Sequence, residues 1–208
     1  MISAPSALVA LLQNAGTDGL KEHKLIWFSV KERGTGNPIG RGIWDGSEDL
    51  NYTVVSGVTG LAETRAYYGA SLLSVGDIVC NTAMTVESVT INLSQIADVA
   101  QQLIRQYNAR LARVEIHTLY MHPETGMPVG ELLDWVGEID KAPIKTPAIG
   151  GEGSIAIKTV SDIMSMLTRV NGRKSSFEDQ RKHADGDEWS KYASTAGTWD
   201  VNWGQKSK

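Results

Sequence analysis

The sequence has little of what metal centres and disulfide-stabilised folds need. Cys80 is the one cysteine among 208 residues, so the chain can form neither an internal disulfide nor a thiolate cluster for zinc or iron–sulfur. It ends the apolar run Asp77-Ile-Val-Cys80, where we expect a buried, unreactive thiol. The apolar stretch from Ala7 to Leu12 follows no basic residue and is too short to cross a bilayer. We therefore expect a soluble protein that folds in a reducing cytoplasm.

An excess of positive charge is also missing. The chain has 20 Lys and Arg against 24 Asp and Glu, a net charge of -4. A protein that reads nucleic acid needs a basic stripe to displace phosphate counterions, so this balance argues against that class. The densest basic group, Arg173, Lys174, Arg181 and Lys182, is interspersed with carboxylates. We interpret it as a solvated or partner-facing surface.

Groups that carry catalysis are scarce as well. The four histidines are not spaced as metal ligands. His117 falls on the polar face of a predicted strand, which indicates a solvated side chain. The loop Gly34–Gly42 lacks the Gly-Lys-Ser/Thr ending of a phosphate loop, and no Gly-x-Ser-x-Gly elbow exists. We expect no enzyme and assign no catalytic, cofactor-binding or metal-binding residue.

What is present is the patterning of a β-rich protein. With 21 glycines and 6 prolines, the chain has many tight corners. Apolar, β-branched and aromatic residues predict short strands, and two segments have helical spacing. For residues 61–68 the sequence leaves two assignments, a helix or an irregular segment. Predicted strands cover 24–30, 43–44, 51–55, 77–80, 85–93, 112–120, 129–140, the region near 144 and 154–159, with predicted helices at 6–13 and 94–107.

The composition divides the chain into a β-rich domain, residues 1–165, and a polar C-terminal arm, residues 166–208. The arm contains Trp189, Trp199 and Trp203, although the whole chain has only six tryptophans. Such aromatics anchor a weakly core-forming segment either on another subunit or back on its own domain, and both alternatives stay open. The arm has too little apolar surface to fold alone, so we predict that it is unordered before assembly.

Several motifs in order resemble one family. The run Thr85-Val-Glu-Ser-Val-Thr-Ile91 precedes the amphipathic helix from Ser94, and Asn108-Ala-Arg-Leu-Ala-Arg-Val-Glu-Ile116 follows it. A turn then leads to Trp135-Val-Gly-Glu-Ile-Asp140, and the tail ends near Trp203-Gly204. This order is similar to that of phage minor tail proteins of the lambda L type and their relatives in gene transfer agents. The resemblance covers most of the chain from about Val86 onward.

The resemblance implies a barrel or sandwich of the tail-tube type with one or two short helices and an extended arm. It implies a structural hub or ring protein of a phage tail tip, which joins the end of the tail tube to central tip or fibre proteins. Such proteins assemble in the host cytoplasm as homo-oligomers, with a trimer favoured and a hexamer possible, and DNA passes their lumen without specific binding. The iron–sulfur cluster of the lambda-type member is not expected here, because its cysteines are missing. The subunit-interface candidates are Arg173, Lys174, Gln180, Trp189, Trp199 and Trp203.

Three alternatives remain beside the tail-tip hub. The chain could be a hexameric distal tail or tail-completion protein, which the sequence cannot distinguish from a trimer. It could be a cell-wall-acting enzyme, although no convincing catalytic residue can be named. A carbohydrate-binding module would use exposed tryptophans such as Trp189 or Trp199 as sugar platforms.

Overall fold

The computed structural model describes residues 4–70, 72–79, 85–94, 98–145, 153–164, 176–198 and 204. The chain falls into two compact units, Met1–Leu167 and Thr168–Lys208, and each is described by itself. No helix in these described ranges is long and apolar enough to span a membrane.

Strands dominate the first unit. Its two described helices are α1 (Ser6–Asp18) and α2 (Asp98–Arg105). The described strands are β1 (Lys21–Glu32), β2 (Pro38–Trp44), β3 (Leu50–Val55), β4 (Ala62–Gly69), β5 (Ser74–Val75), β6 (Ser88–Ser94), β7 (Tyr107–Met121), β8 (Pro128–Lys141), β9 (Ile144–Lys145) and β10 (Ser154–Ser161). The second unit contains helix α3 (Phe177–His183) and a 3₁₀ turn at Ala196–Thr198. The prediction of a mainly β protein is confirmed.

All ten described strands belong to one mixed sheet. Its order is β3-β4-β2-β1-β7-β8-β10-β6-β5, and β9 pairs with β10. The pairs are antiparallel except β2 with β4, which run parallel. In the part of the chain described, this path is open and ends at β3 and β5. The barrel or sandwich of the tail-tube type stays a prediction.

Successive side chains of a strand point to opposite sides of the sheet. The long central strands β1 and β7 have buried side chains on both sides. On one face, Ile26 and Phe28 belong to a first core cluster that also contains Val114 and Ile116. This cluster extends to β6 and β10, whose apolar side chains alternate with polar ones. On the other face, Leu25 belongs to a second, smaller cluster.

A hairpin covers that second face. Strands β3 and β4 pair over their full length, from Leu50 opposite Tyr67 to Val55 opposite Ala62. The hairpin contributes Val54 and Tyr67 to the second cluster, where they pack with Leu25, Trp44, Leu119 and Met121 of β1, β2 and β7. We call this hairpin, residues 50–69, the flap.

Several segments differ from their predictions. The helix predicted over 94–107 is shorter, because Ser94 ends β6, Tyr107 begins β7 and α2 is described over Asp98–Arg105. Helix α1 extends to Asp18 rather than ending near Gln13, and Gly19 with a φ of 81° terminates it. Residues 62–69 form strand β4, whose alternation was hidden because an arginine, Arg65, takes an inward position. The predicted strand at 77–80 has no regular structure over residues 77–79, and Cys80 lies outside the described residues.

Gly137 allows β8 to approach β10 closely, which gives a test of the strand packing. A Cβ built on Gly137 would lie 2.3 Å from the carbonyl oxygen of Val160 in β10. We expect Gly137→Ala to lower the free energy of unfolding by about 2 kcal/mol or more, since backbone would have to move. Gly34→Ala is the matched control, because nothing lies within 4 Å of its Cβ. Urea denaturation of both variants checks this, and equal losses would contradict the strand packing.

Candidate functional site

The largest departure from the sequence analysis lies on β7. His117, predicted to be a solvated side chain, is fully buried, and Glu115 is 2 % exposed. His117 was assigned to a polar, solvated strand face, and that assignment is wrong. Two residues apart on one strand, His117 and Glu115 share the face that the flap covers, so the face is hidden from solvent.

The carboxylate of Glu115 is the centre of a buried polar cluster. Arg65 of the flap donates to it from both terminal nitrogens, each at 3.1 Å. The hydroxyl of Ser56 donates at 3.1 Å and the backbone N–H of Gly57 at 2.8 Å. Nε2 of His117 lies 3.4 Å from the same carboxylate. Glu115 therefore fastens the flap to the central strand β7.

Arg65 is held on its remaining sides as well. Its guanidinium lies 4.8 Å from the centre of the Trp27 ring, a distance suited to a cation–π contact. It also pairs with Glu63 of its own strand at 2.8 Å. Because the guanidinium is 4 % exposed, this planar, permanently charged group needs these partners to be buried without a large penalty.

The environment sets the charge of Glu115. Burial raises the pKa of its carboxyl, but hydrogen bonds from His117, Arg65 and Gly57 outweigh burial and lower the pKa to about 2. A carboxylate that already accepts several bonds has little capacity left to take a proton from a substrate. The arrangement thus suits a structural fastening rather than acid–base catalysis. On the facing strand, burial raises the pKa of Tyr67 to about 12.

Two open clefts of about 530 Å³ each flank the sheet. In the first, Lys24 donates to Asp134 at 2.8 Å, and Thr118 bonds to both of them. In the second, His23 bonds to Asp45 at 2.8 Å. No group of three or more His, Cys, Asp or Glu among the described residues could hold a metal ion.

The second unit contains the predicted interface residues that the structure describes, Gln180 and Trp189. The Gln180 amide donates to Asp187 at 2.6 Å, and the backbone N–H of Trp189 donates to the same carboxylate at 3.0 Å. These bonds lower the pKa of Asp187, the bond from Trp189 most. The Trp189 side chain is 91 % exposed. Arg173, Lys174, Trp199 and Trp203 lie outside the described residues.

Exposed apolar side chains mark two places on the first unit. At the end of the flap, Val55, Val58 and Leu61 are each about half exposed or more. Helix α1 buries Leu8 and leaves Val9 and Leu12 exposed. Leu8 packs where β8 has a glycine, Gly130.

The outer edge of β3 has backbone donors that its partner strand does not use. The N–H of Val55 donates outward to Glu131 of β8 at 2.8 Å. In an antiparallel strand, the N–H groups of successive residues point to opposite edges. The N–H groups of Asn51 and Thr53 therefore point to the same outer edge as that of Val55. The exposed side chains of β3 itself are uncharged: Asn51, Thr53 and Val55.

Sequence reasoning missed the pairing of Arg65 with Glu115. The two residues are fifty positions apart, and no local spacing links them. The one available signal was that Glu115 and His117 stand inside the run Val114–Leu119, in which all six residues are buried. A strand with apolar residues on both faces is covered on both faces.

Comparison with known proteins gives a structural likeness and no sequence match. No family model matches the chain, and no curated protein does. Among solved structures, the chain is similar to one in "Virion of native gene transfer agent (GTA) particle", with 14% sequence identity and a TM-score of 0.46. The match covers 83% of this chain and 50% of that chain, so this chain spans half the length of the virion chain.

The buried carboxylate predicts an acid-dependent stability. A carboxyl whose pKa falls to about 2 on folding stabilises the fold above its unfolded value of 4.5, and this stabilisation is lost as the pH falls towards 2. We expect Glu115→Gln to cost about 3 kcal/mol at neutral pH and much less near pH 2. Urea unfolding from pH 7 to pH 2.5 measures this.

The matched control is Asp162→Asn, which removes a half-exposed ion pair with Arg113. Its cost should stay below about 1 kcal/mol at every pH. If Glu115→Gln lost the same small amount at neutral and acidic pH, the buried ion pair would not stabilise the fold.

Proposed function

We propose that this chain is a structural subunit of a phage-type virion, a tail-tip hub or ring protein joining the end of the tail tube to central tip or fibre proteins. The observation that carries the proposal is the order of elements in the segment with the family resemblance. Strand β6, helix α2, strand β7, a turn and strand β8 follow one another as the resemblance implies.

The motif residues in this segment have a packing role. Ala112, Val114 and Ile116 of the run Asn108-Ala-Arg-Leu-Ala-Arg-Val-Glu-Ile116 all belong to the first core cluster. In the run Trp135-Val-Gly-Glu-Ile-Asp140, Gly137 permits the close approach of β10, and Ile139 is buried in the same cluster. These residues specify how β7, β8 and β10 pack, so they support a shared fold, while the function follows from the surfaces.

The exposed surfaces suit a subunit that closes on neighbours. Natural monomers protect an edge strand with charges, proline or a covering element. On β3 the exposed side chains Asn51, Thr53 and Val55 are uncharged, and the nearby end of the flap is apolar. A homo-oligomeric ring would cover such an edge, with a trimer favoured and a hexamer possible. The net charge of -4 suits a lumen through which DNA passes without binding.

The arm is the second proposed contact. The described residues 176–198 contain no buried side chain, and Trp189 is almost fully exposed. An exposed tryptophan on a segment without a core is typical of an anchor that docks on a partner. We therefore retain Arg173, Lys174, Gln180, Trp189, Trp199 and Trp203 as interface candidates. That the arm is unordered before assembly stays a prediction.

The alternatives differ in what an assembled particle would contain. A hexameric distal tail or tail-completion protein would also present free edges, and the number of subunits in the ring separates it from a trimeric hub. A cell-wall-acting enzyme would need a catalytic group, and Glu115 is unsuited because its carboxylate is saturated with donors.

Electron microscopy of purified particles labelled with an antibody against this chain tests the proposal, together with the mass of the isolated protein. Label at the tail end, with a ring in solution or in the particle, is the expected result. Label at another part of the particle would contradict the tail-tip role. Unlabelled particles and a stable monomer would contradict the structural role as a whole.

Trp189→Ala tests the arm. Because the side chain is 91 % exposed, we expect the free energy of unfolding of the isolated protein to change by less than about 0.5 kcal/mol. Incorporation into particles should fall several-fold, as quantitative mass spectrometry of purified particles would show. Leu72→Ala, another exposed apolar residue at 72 %, is the control and should be incorporated normally. Equal incorporation of both variants would remove Trp189 from the interface.

A further inference from the structure

The apolar contacts of the flap are separate from the main core. Every residue of the flap that packs in an apolar cluster, including Leu50, Val54 and Tyr67, belongs to the second cluster. The first core cluster, which holds β1, β2, β6, β7, β8 and β10 together, contains no flap residue. Groups of residues with separate apolar contacts can open with separate free energies.

The backbone attachment of the flap is equally limited. Strand β4 pairs with β2 over three positions, of which the last joins Trp44 and Gly69. The N–H of Ala70 donates to the carbonyl of Trp44 at 2.8 Å beside this pairing. Strand β3 pairs with β4 alone among the described strands. One end of the flap is thus joined to the sheet, and the other end has no ladder to it in the described part.

Polar groups hold the other end of the flap, at residues 55–57. The turn after β3 binds Glu115 through Ser56 and Gly57, and Val55 binds Glu131. The interface between the flap and β7 also contains an unsatisfied polar atom, because Nδ1 of buried His117 makes no hydrogen bond to a described residue. A buried polar atom without a partner destabilises the closed arrangement. The far end of the flap is therefore fastened by a few charge-assisted hydrogen bonds, and the apolar contacts of the flap are those of the second cluster.

We propose that the flap opens as one unit while the central sheet stays folded, and that Glu115 is the latch that keeps it closed. The hinge comprises residues 45–49, which connect β2 to β3, together with Gly69 and Ala70 after β4. Opening uncovers Trp27 and Glu115 and frees the edge of β2 from Gly42 to Trp44. This inference does not rest on the proposed function.

Hydrogen exchange measured by mass spectrometry on the full chain tests the proposal. In the wild-type protein, the hydrogen-bonded amides within residues 50–67 should exchange together and at least about tenfold faster than those of β1 and β7. Glu115→Gln should accelerate exchange of these flap amides by a further tenfold or more, and the central strands should still exchange at least about tenfold more slowly than the flap. Asp162→Asn, which removes an ion pair outside the flap, should change neither rate.

Ser56→Ala provides a milder variant if Glu115→Gln does not fold. It removes one donor to Glu115 and the hydroxyl that accepts from the N–H groups of Val58 and Thr59. Exchange of the hydrogen-bonded amides within residues 50–67 should again accelerate, by several-fold. If the flap and the central strands exchange at one common rate in the wild type or in either variant, the flap belongs to one cooperative unit with the sheet and the proposal is wrong.

Discussion

The buried carboxylate of Glu115 is the interaction on which the arrangement of the sheet depends. It places a charge on the central strand β7 and satisfies it with donors from a hairpin about fifty residues earlier in the chain. Without those donors, a charge there would be strongly unfavourable, and without the charge, Arg65 would lose its main buried partner. A single side chain therefore couples the position of β3 and β4 to that of β7.

The two faces of the sheet in the first unit are packed differently. The apolar cluster from β2 to β6 gives the fold its stability, and it contains the residues that resemble the phage tail family. The opposite face is polar at its centre and is covered by the flap. Because the flap lies at one end of the described sheet, its outer strand β3 is also the uncharged edge that an assembling subunit would present. The hairpin that Glu115 fastens is therefore also the one whose edge we propose for assembly.

Much of the sheet could be predicted from sequence, and the polar site could not. The alternation through Val114 and Ile116, and the turn before β8, located the central hairpin within a few residues of its bounds. The failure at β4 and the wrong assignment of His117 share one cause. A charged residue on an inward face imitates a solvent-exposed face, and only the position of a distant strand tells the two apart. Of the predicted interface, Gln180 and Trp189 are described, and their role in assembly stays a prediction.

The most direct test of the account compares hydrogen exchange at the outer edge of β3 in the isolated chain and in purified particles. If the chain is a ring subunit whose free edge is covered by a neighbour, the amides of Asn51 and Thr53 exchange quickly in isolation and are protected in the particle. Protection that is the same in both states would contradict the claim that assembly covers this edge. Fast exchange of these amides in the particle would mean that the edge of β3 is exposed to solvent in the virion.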